Sequence, residues 1–135
     1  MIRGSCLCGS VRYEIEGPLS AITLCHCSQC RKAHGAAFGA YARVDAAGFR
    51  WVAGESDVAA FQSSPDVMRT FCKRCGSRLQ FLRVSRPQSF SIAVGTLDED
   101  PGVRPMHHIF VGSKAPWFEI ADALPRHAER PPAAK

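Results

Sequence analysis

A short cysteine turn decides the fold: residues 72–76 read Cys72-Lys73-Arg74-Cys75-Gly76. Two thiolates two positions apart can bind the same metal ion, and the glycine permits the tight backbone turn that brings them together. A tetrahedral structural zinc ion takes four such ligands. The spacing therefore predicts a zinc knuckle, similar to those of zinc ribbons, that needs two more cysteines from elsewhere in the chain.

Two cysteine clusters upstream could complete this knuckle. The first is the turn Cys6-Leu7-Cys8-Gly9, and the second is Cys25-His26-Cys27-Ser28-Gln29-Cys30. If the first cluster joins the knuckle, the seven cysteines divide into a closed set of four and a remaining set of three. The other pairing would leave both N-terminal cysteines without an adequate ligand set. We therefore predict a structural zinc site formed by Cys6, Cys8, Cys72 and Cys75.

The remaining set consists of Cys25, Cys27 and Cys30. Three ligands leave one coordination position of zinc open, which is the arrangement expected of a catalytic site, and zinc is soft enough to bind a thiol there. A second structural zinc completed by His26 or His34 is the alternative. His26 is flanked by two of the ligands, so its ring is expected to point away from the ion that they share. We expect two zinc ions per chain, one structural and one catalytic.

Composition places the chain among ordinary globular proteins. Hydrophobic residues make up 46% and charged residues 21%, and 135 residues fit one domain. An odd number of cysteines cannot all pair as disulfides within one monomer, so metal ligation explains them better. The N-terminal residues do not have the pattern of a signal peptide, and no stretch is apolar enough for a membrane span. We expect a cytoplasmic protein, since thiols stay reduced there.

The pattern of apolar residues favours strands. Apolar and polar residues alternate over 11–16 and stop at Gly17-Pro18, which predicts a half-buried strand that ends in a turn. The best helical segment is one or two turns over 28–34. Many short strands separated by turn residues predict a mainly β, antiparallel domain over 1–124, followed by a disordered, proline-rich tail over 125–135. The other predicted strands are 38–44, 49–52, 58–62, 67–71, 79–84, 89–94 and 107–111.

The net charge of +5 raises the question of nucleic-acid binding. The basic residues are dispersed, however, and Arg31-Lys32 and Lys73-Arg74 each stand beside a cysteine cluster, where they can offset the negative charge of thiolates. A solvated surface with local charge compensation is therefore favoured over a groove that binds phosphates, and we expect neither a nucleic-acid nor a membrane partner. A zinc-stabilised module that binds a nucleic acid or a protein partner is the alternative function.

Four motifs spread over about residues 3–124 carry a resemblance to a known family. They are Gly4-Ser5-Cys6-Leu7-Cys8-Gly9-Ser10-Val11-Arg12-Tyr13, Cys25-His26-Cys27-Ser28-Gln29-Cys30-Arg31-Lys32 followed by Gly35-Ala36-Ala37-Phe38, Phe71-Cys72-Lys73-Arg74-Cys75-Gly76-Ser77, and His107-His108-Ile109-Phe110 with Lys114-Ala115-Pro116-Trp117. In these motifs the chain resembles the glutathione-dependent formaldehyde-activating enzyme family, which includes the domain of centromere protein V. The resemblance implies stacked antiparallel sheets and the same division of the seven cysteines into structural and catalytic zinc sites.

The resemblance also implies a carbon–sulfur lyase, in which glutathione and formaldehyde combine to S-(hydroxymethyl)glutathione. The expected partners are a small thiol such as glutathione and an aldehyde, with zinc as Lewis acid and template. A histidine could carry the proton, and alternation along a strand lets only one of His107 and His108 face the pocket. The residues that could bind a substrate carboxylate are Arg31, Lys32 and Lys114. The aromatic residues that could line the pocket are Phe38, Phe110, Trp117 and Phe118.

Overall fold

The computed structural model describes residues 1–131 as ten strands, one α-helix and short 3-10 turns, and residues 132–135 lie outside the described part. Within residues 1–131 no helix has the length and apolar character needed to cross a membrane. The helix α1 spans Ser28–His34. The strands are β1 (Ile2–Ser5), β2 (Arg12–Ile15), β3 (Ile22–Cys25), β4 (Gly39–Asp45), β5 (Phe49–Ala53), β6 (Val58–Ser64), β7 (Val67–Cys72), β8 (Arg78–Arg83), β9 (Ser89–Ala93) and β10 (Pro105–Ile109).

The strands form two sheets. The smaller sheet has the order β1-β2-β5, and the larger one has the order β10-β3-β4-β9-β8-β7-β6. Neighbouring strands are antiparallel except for β3 and β10, which pair in parallel. The predicted fold class, a small mainly β domain of antiparallel sheets, is confirmed.

The hydrophobic core joins the two sheets. Tyr13 and Ile15 of β2 are each 1% exposed, and the Tyr13 ring stacks on Phe49 of β5 with centroids 5.2 Å apart. Phe49 in turn meets the edge of Phe90 in the larger sheet at 4.9 Å. Burial of each such side chain contributes roughly 1.5–3 kcal/mol to folding. The other core residues of the larger sheet include Leu24, Ala42, Val44, Leu79 and Ile92.

Eight predicted strands and the helix are confirmed with small shifts of their ends, and two strands were not predicted. β1 has only four residues and one of them is Gly4, so its pattern is too short to be recognised. β3 has four residues and runs directly into the cysteine cluster. Its apolar residues, Ile22 and Leu24, are therefore too few to separate a strand from the metal motif.

Residues 125–131 differ from the predicted disordered tail. They run alongside β10 and the residue that follows it. The His108 amide donates to the Pro125 carbonyl at 2.9 Å, and the Phe110 amide donates to the Glu129 carbonyl at 3.0 Å. The His127 amide donates to the His108 carbonyl at 2.9 Å, and the bridge between the two segments is parallel. The prediction of disorder is thus wrong for these residues, because main-chain pairing needs no apolar side chains. Residues 132–135, the rest of the predicted tail, lie outside the described residues.

Candidate metal centres and pocket

The structure brings Cys6, Cys8, Cys72 and Cys75 together, with all four Sγ atoms within 4.8 Å of one another. The Sγ atoms of Cys6 and Cys8 are 3.6 Å apart, and those of Cys8 and Cys72 are 3.9 Å apart. Cys72 and Cys6 are buried, whereas Cys8 is exposed. Cys8 and Cys72 are 64 positions apart in sequence. The cluster thus connects the turn between β1 and β2 of the smaller sheet to the end of β7 in the larger sheet.

The sulfur separations fit a metal ion better than a disulfide. Four sulfurs at about 2.3 Å from a tetrahedral zinc ion lie about 3.8 Å from one another. A disulfide needs about 2.05 Å between its sulfurs, and all seven cysteines are free. The four-sulfur cluster could therefore hold zinc with every coordination position filled by protein.

Two glycine turns shape this cluster. Gly9 and Gly76 have φ of +78° and +81°, a region that side chains with a Cβ rarely adopt. Each glycine amide donates back to the first cysteine of its own turn, Gly9 to the Cys6 carbonyl at 3.0 Å and Gly76 to the Cys72 carbonyl at 2.8 Å. The Leu7 amide donates to the Ser77 hydroxyl at 2.8 Å and ties the two turns together.

The second cluster joins the end of β3 to the start of α1. The Sγ atoms of Cys25, Cys27 and Cys30 lie within 4.8 Å of one another. Cys27 caps the helix, since its Sγ accepts a hydrogen bond from the Cys30 amide at 3.3 Å. Hydrogen bonds from the Cys25 and Cys30 thiols lower the pKa of Cys27 well below its usual range, which favours the thiolate form of this sulfur. A thiolate among three close sulfurs is the donor chemistry that zinc takes.

Neither neighbouring histidine belongs to the three-sulfur cluster. His34 pairs its Nε2 with the Tyr41 hydroxyl at 2.5 Å, and His26 pairs its Nε2 with His108 Nδ1 at 2.7 Å. Burial, aided by the positive charge of Arg69, lowers the pKa of His34 to about 4. Among the described residues, the cluster of sulfurs that could hold one ion therefore contains three ligands and no histidine.

The three sulfurs border a cavity of about 570 Å³. This cavity lies on the face of the larger sheet that points away from the core, because Tyr41, Arg43 and Ser91 border it while the alternate residues of β4 and β9 are buried in the core. The Thr23 and Cys25 side chains reach it from β3. A substrate in this cavity would thus meet the sulfur cluster directly.

Arginines provide the charge of the cavity. Arg43, Arg69, Arg83 and Arg130 border it, and none of the described residues that border it is an aspartate or a glutamate. The basic residues expected from the sequence do not border it: Arg31 and Lys32 lie on α1, and the Lys114 Nζ donates to the Ala115 and Phe118 carbonyls. The cavity is therefore positively charged as expected, but the residues that carry the charge are not those that the sequence suggested.

Only one of the two adjacent histidines faces the cavity, as predicted. His107 borders it and pairs its Nε2 with the Thr23 hydroxyl at 3.0 Å. Burial lowers the pKa of His107, and the neighbouring His127 and His108 lower it further, so the ring is neutral at pH 7. His108 is buried elsewhere, between His26 and the Asp122 carboxylate, which its Nε2 meets at 2.9 Å.

The aromatic residues divide in a similar way. Phe110 borders the cavity as expected, and Phe81 of β8 borders it without having been predicted. Phe38 and Phe118 pack instead around His26, with ring centroids 5.3 and 6.2 Å away, and Trp117 is 70% exposed. Phe81 lies in a predicted strand, but its face could not be assigned without the register of that strand.

Fold and site together define a small mainly β domain with two cysteine clusters that could each bind zinc. The family model described as "Glutathione-dependent formaldehyde-activating enzyme" matches residues 1–113, and the chain belongs to this family. The chain is also similar to a crystal structure of a Rhodobacter sphaeroides protein, with a TM-score of 0.61 and 27% identity over 76% of this chain and 97% of that one. The resemblance inferred from the motifs is confirmed. All seven cysteines lie within the matched residues, whereas Arg130 lies beyond them.

Proposed function

We propose that the protein is a zinc-dependent carbon–sulfur lyase that joins a carboxylate-bearing thiol, such as glutathione, to formaldehyde or releases it again. The observation that carries this proposal is the position of three cysteine sulfurs in a cavity whose formal charges are those of arginines. Use of a free thiol agrees with a cytoplasmic location, where thiols stay reduced.

The reaction makes one carbon–sulfur bond and involves no oxidant. The thiolate sulfur attacks the aldehyde carbon, the carbonyl π electrons move to oxygen, and the proton lost by the thiol ends on that oxygen. Cys25, Cys27 and Cys30 would hold the catalytic zinc ion, which would supply a Lewis acid that binds a thiol and lowers its pKa. The four-sulfur site, with Cys6, Cys8, Cys72 and Cys75, would hold the structural zinc.

The arginines select the substrate. Glutathione carries two carboxylates and one ammonium group, so it is an anion at neutral pH before its thiol loses a proton. Three arginines at the cavity are not fully buried, because Arg43 and Arg130 are exposed and Arg83 is half-buried. A guanidinium can bind a carboxylate with two parallel hydrogen bonds. Small thiols without a carboxylate should enter the cavity but bind less tightly.

Cobalt substitution tests this function. Addition of glutathione to the cobalt-loaded protein should change the thiolate charge-transfer and ligand-field absorption saturably, because a fourth sulfur enters the coordination sphere. The zinc protein should accelerate exchange between glutathione, formaldehyde and their adduct beyond the spontaneous rate. S-methylglutathione is the matched control, since it keeps the carboxylates but offers no thiolate.

Two results of that experiment would contradict the proposal. A saturable spectral change without rate acceleration would mean that the protein binds the thiol but catalyses another reaction. No spectral response to any thiol would favour the alternative, a zinc-stabilised module that binds a nucleic acid or a protein partner, and salt-sensitive binding to DNA or RNA would then be measured.

His107 is the residue that we expect to move the proton. Its neutral ring borders the cavity and is oriented by the Thr23 hydroxyl. His107→Gln keeps a hydrogen-bonding side chain but cannot carry a proton, so kcat should fall about a hundredfold while the affinity for glutathione stays unchanged. Steady-state kinetics and the cobalt titration measure the two quantities separately.

The control for His107 is His127→Gln. The His127 ring contacts His107 with centroids 5.3 Å apart but does not border the cavity. This variant should keep kcat near that of the wild type. Equal kcat values for His107→Gln and the wild type would remove His107 from the mechanism and leave proton transfer to solvent.

A further inference from the structure

Arg69 of β7 is a buried arginine at the three-sulfur cluster. Its side chain is held on several sides, since Nε donates to the Ser63 hydroxyl at 3.1 Å and Nη1 donates to the Tyr41 hydroxyl at 3.1 Å. Nη2 points at Cys30 Sγ from 3.7 Å, and the guanidinium stacks on the Phe81 ring 5.0 Å from its centroid. The residue is only 5% exposed. The guanidinium is therefore fixed with one edge toward the sulfurs.

This buried cation lacks an ordinary counter-ion. Among residues 1–131 no carboxylate oxygen lies within 4 Å of Arg69. The cations beside the four-sulfur cluster differ, because Lys73 and Arg74 both pair with Asp57, at 3.9 and 3.0 Å. A buried charge without an opposite charge costs several kcal/mol, and the negative charge nearest to Arg69 is that of the cysteine sulfurs. Arg69 is therefore placed to offset negative charge on the sulfurs, with Nη2 3.7 Å from Cys30 Sγ.

We propose that Arg69 is a positioning residue that sets the affinity of the three-sulfur site for an anionic fourth ligand, a substrate thiolate. This inference rests on the proposed function, since it assigns a role at the same site. Three thiolates around a divalent ion carry a net charge of −1, and a fourth thiolate raises it to −2. The fixed guanidinium offsets the added charge without contacting the rest of the substrate.

The same arrangement explains why one arginine at the cavity is buried while the three others are exposed or half-buried. Arg43, Arg83 and Arg130 can reach carboxylates of the substrate from the rim, whereas Arg69 is occupied by Ser63, Tyr41 and the sulfurs. Loss of a rim arginine should affect only thiols that carry carboxylates. Loss of Arg69 should weaken the binding of every thiolate, whether or not the rest of the molecule carries a charge.

The test uses 2-mercaptoethanol, a thiol without a carboxylate, and the cobalt-loaded protein with its metal content measured. Arg69→Met keeps an unbranched side chain but removes the charge, the hydrogen bonds to Ser63 and Tyr41 and the guanidinium that stacks on Phe81. Its Kd for 2-mercaptoethanol, read from the charge-transfer band, should rise about ten- to a hundredfold, the range expected for loss of a hydrogen bond to a charged group. Arg69→Lys keeps the charge without the fork that holds Ser63 and Tyr41, and it should restore most of the affinity.

Arg78→Met is the matched control. Arg78 also stacks on an aromatic ring, that of Phe71 at 5.1 Å, but it does not border the cavity. This variant should bind 2-mercaptoethanol as the wild type does. If Arg69→Lys binds 2-mercaptoethanol as weakly as Arg69→Met does, the role of Arg69 is structural and the inference is overturned.

The outcomes separate this inference from the proposed function. A saturable response in the wild type with an unchanged Kd in Arg69→Met would overturn the role of Arg69 and leave the thiol site in place. Absence of any response in the wild type would overturn both. A higher Kd in Arg69→Met, together with a Kd near that of the wild type in Arg69→Lys, would support both.

Discussion

Replacement of Cys72 by serine should unfold or aggregate the protein under conditions in which the wild type is folded. Cys72 is fully buried at the end of β7, and its sulfur belongs to the cluster that connects the N-terminal turn to the larger sheet. Metal binding in such closed sites amounts to about 10–16 kcal/mol in small zinc domains, which is as large as the whole stability of a typical domain, about 5–15 kcal/mol. Loss of one ligand should therefore remove most of the stability.

Circular dichroism on heating, together with zinc content per chain, measures this effect. The wild type should carry two zinc ions, and a strong chelator should reproduce the unfolding of Cys72→Ser. Ser10→Ala is the control, because Ser10 Oγ lies 3.5 Å from Cys72 Sγ but is not a ligand, and it should unfold close to the wild-type temperature. A Cys72→Ser protein with unchanged Tm would show that this cluster does not stabilise the fold.

Replacement of Cys27 by serine should have the opposite profile, abolishing activity while leaving the fold. The Cys27 sulfur belongs to the three-sulfur cluster that borders the cavity. Its loss should lower the zinc content from two ions per chain to one, and the reaction should then proceed only at its spontaneous rate. Serine is a preferred N-cap residue, and it can accept the hydrogen bond from the Cys30 amide that Cys27 Sγ accepts in the wild type. The helix and most of the thermal stability should therefore remain.

Cys27→Ala separates the cap from the metal site. Alanine removes both, so this variant should lose about 1 kcal/mol more stability than Cys27→Ser, with the same metal content and no activity. Thermal unfolding, elemental analysis and the exchange assay on the two variants give the comparison. If Cys27→Ser and Cys72→Ser lost equal stability, the middle cluster would have to be a second structural site.

The sulfur clusters could be predicted because their members are close in sequence. Ligands two or three positions apart share one turn, and the count of seven leaves few ways to divide them, so both groupings follow from spacing. The fold class followed from short alternating segments in the same way. The metal ions themselves and the roles of the two sites stay predictions.

The charge of the cavity could not be predicted, because it depends on strand register. Arg69 stands 39 positions from Cys30, and only the pairing of β7, β8, β9 and β4 brings its side chain to the sulfurs. The sequence favoured the basic residues nearest to the cysteines, Arg31 and Lys32, which lie on α1 and do not border the cavity. Proximity in sequence is thus a good guide to metal ligands, whose turns are local, and a poor guide to the counter-charge.

The pairing of residues 125–131 with β10 also blocks an edge at which strands of other copies of the protein could pair. β10 is the last strand of the larger sheet, and without that segment its amides and carbonyls would be free to pair with a strand of another molecule, which is how edge-to-edge aggregation begins. The segment is rich in proline and charge, so it occupies the edge without offering a regular new one. A stretch that resembles a linker in composition therefore covers an edge of the larger sheet.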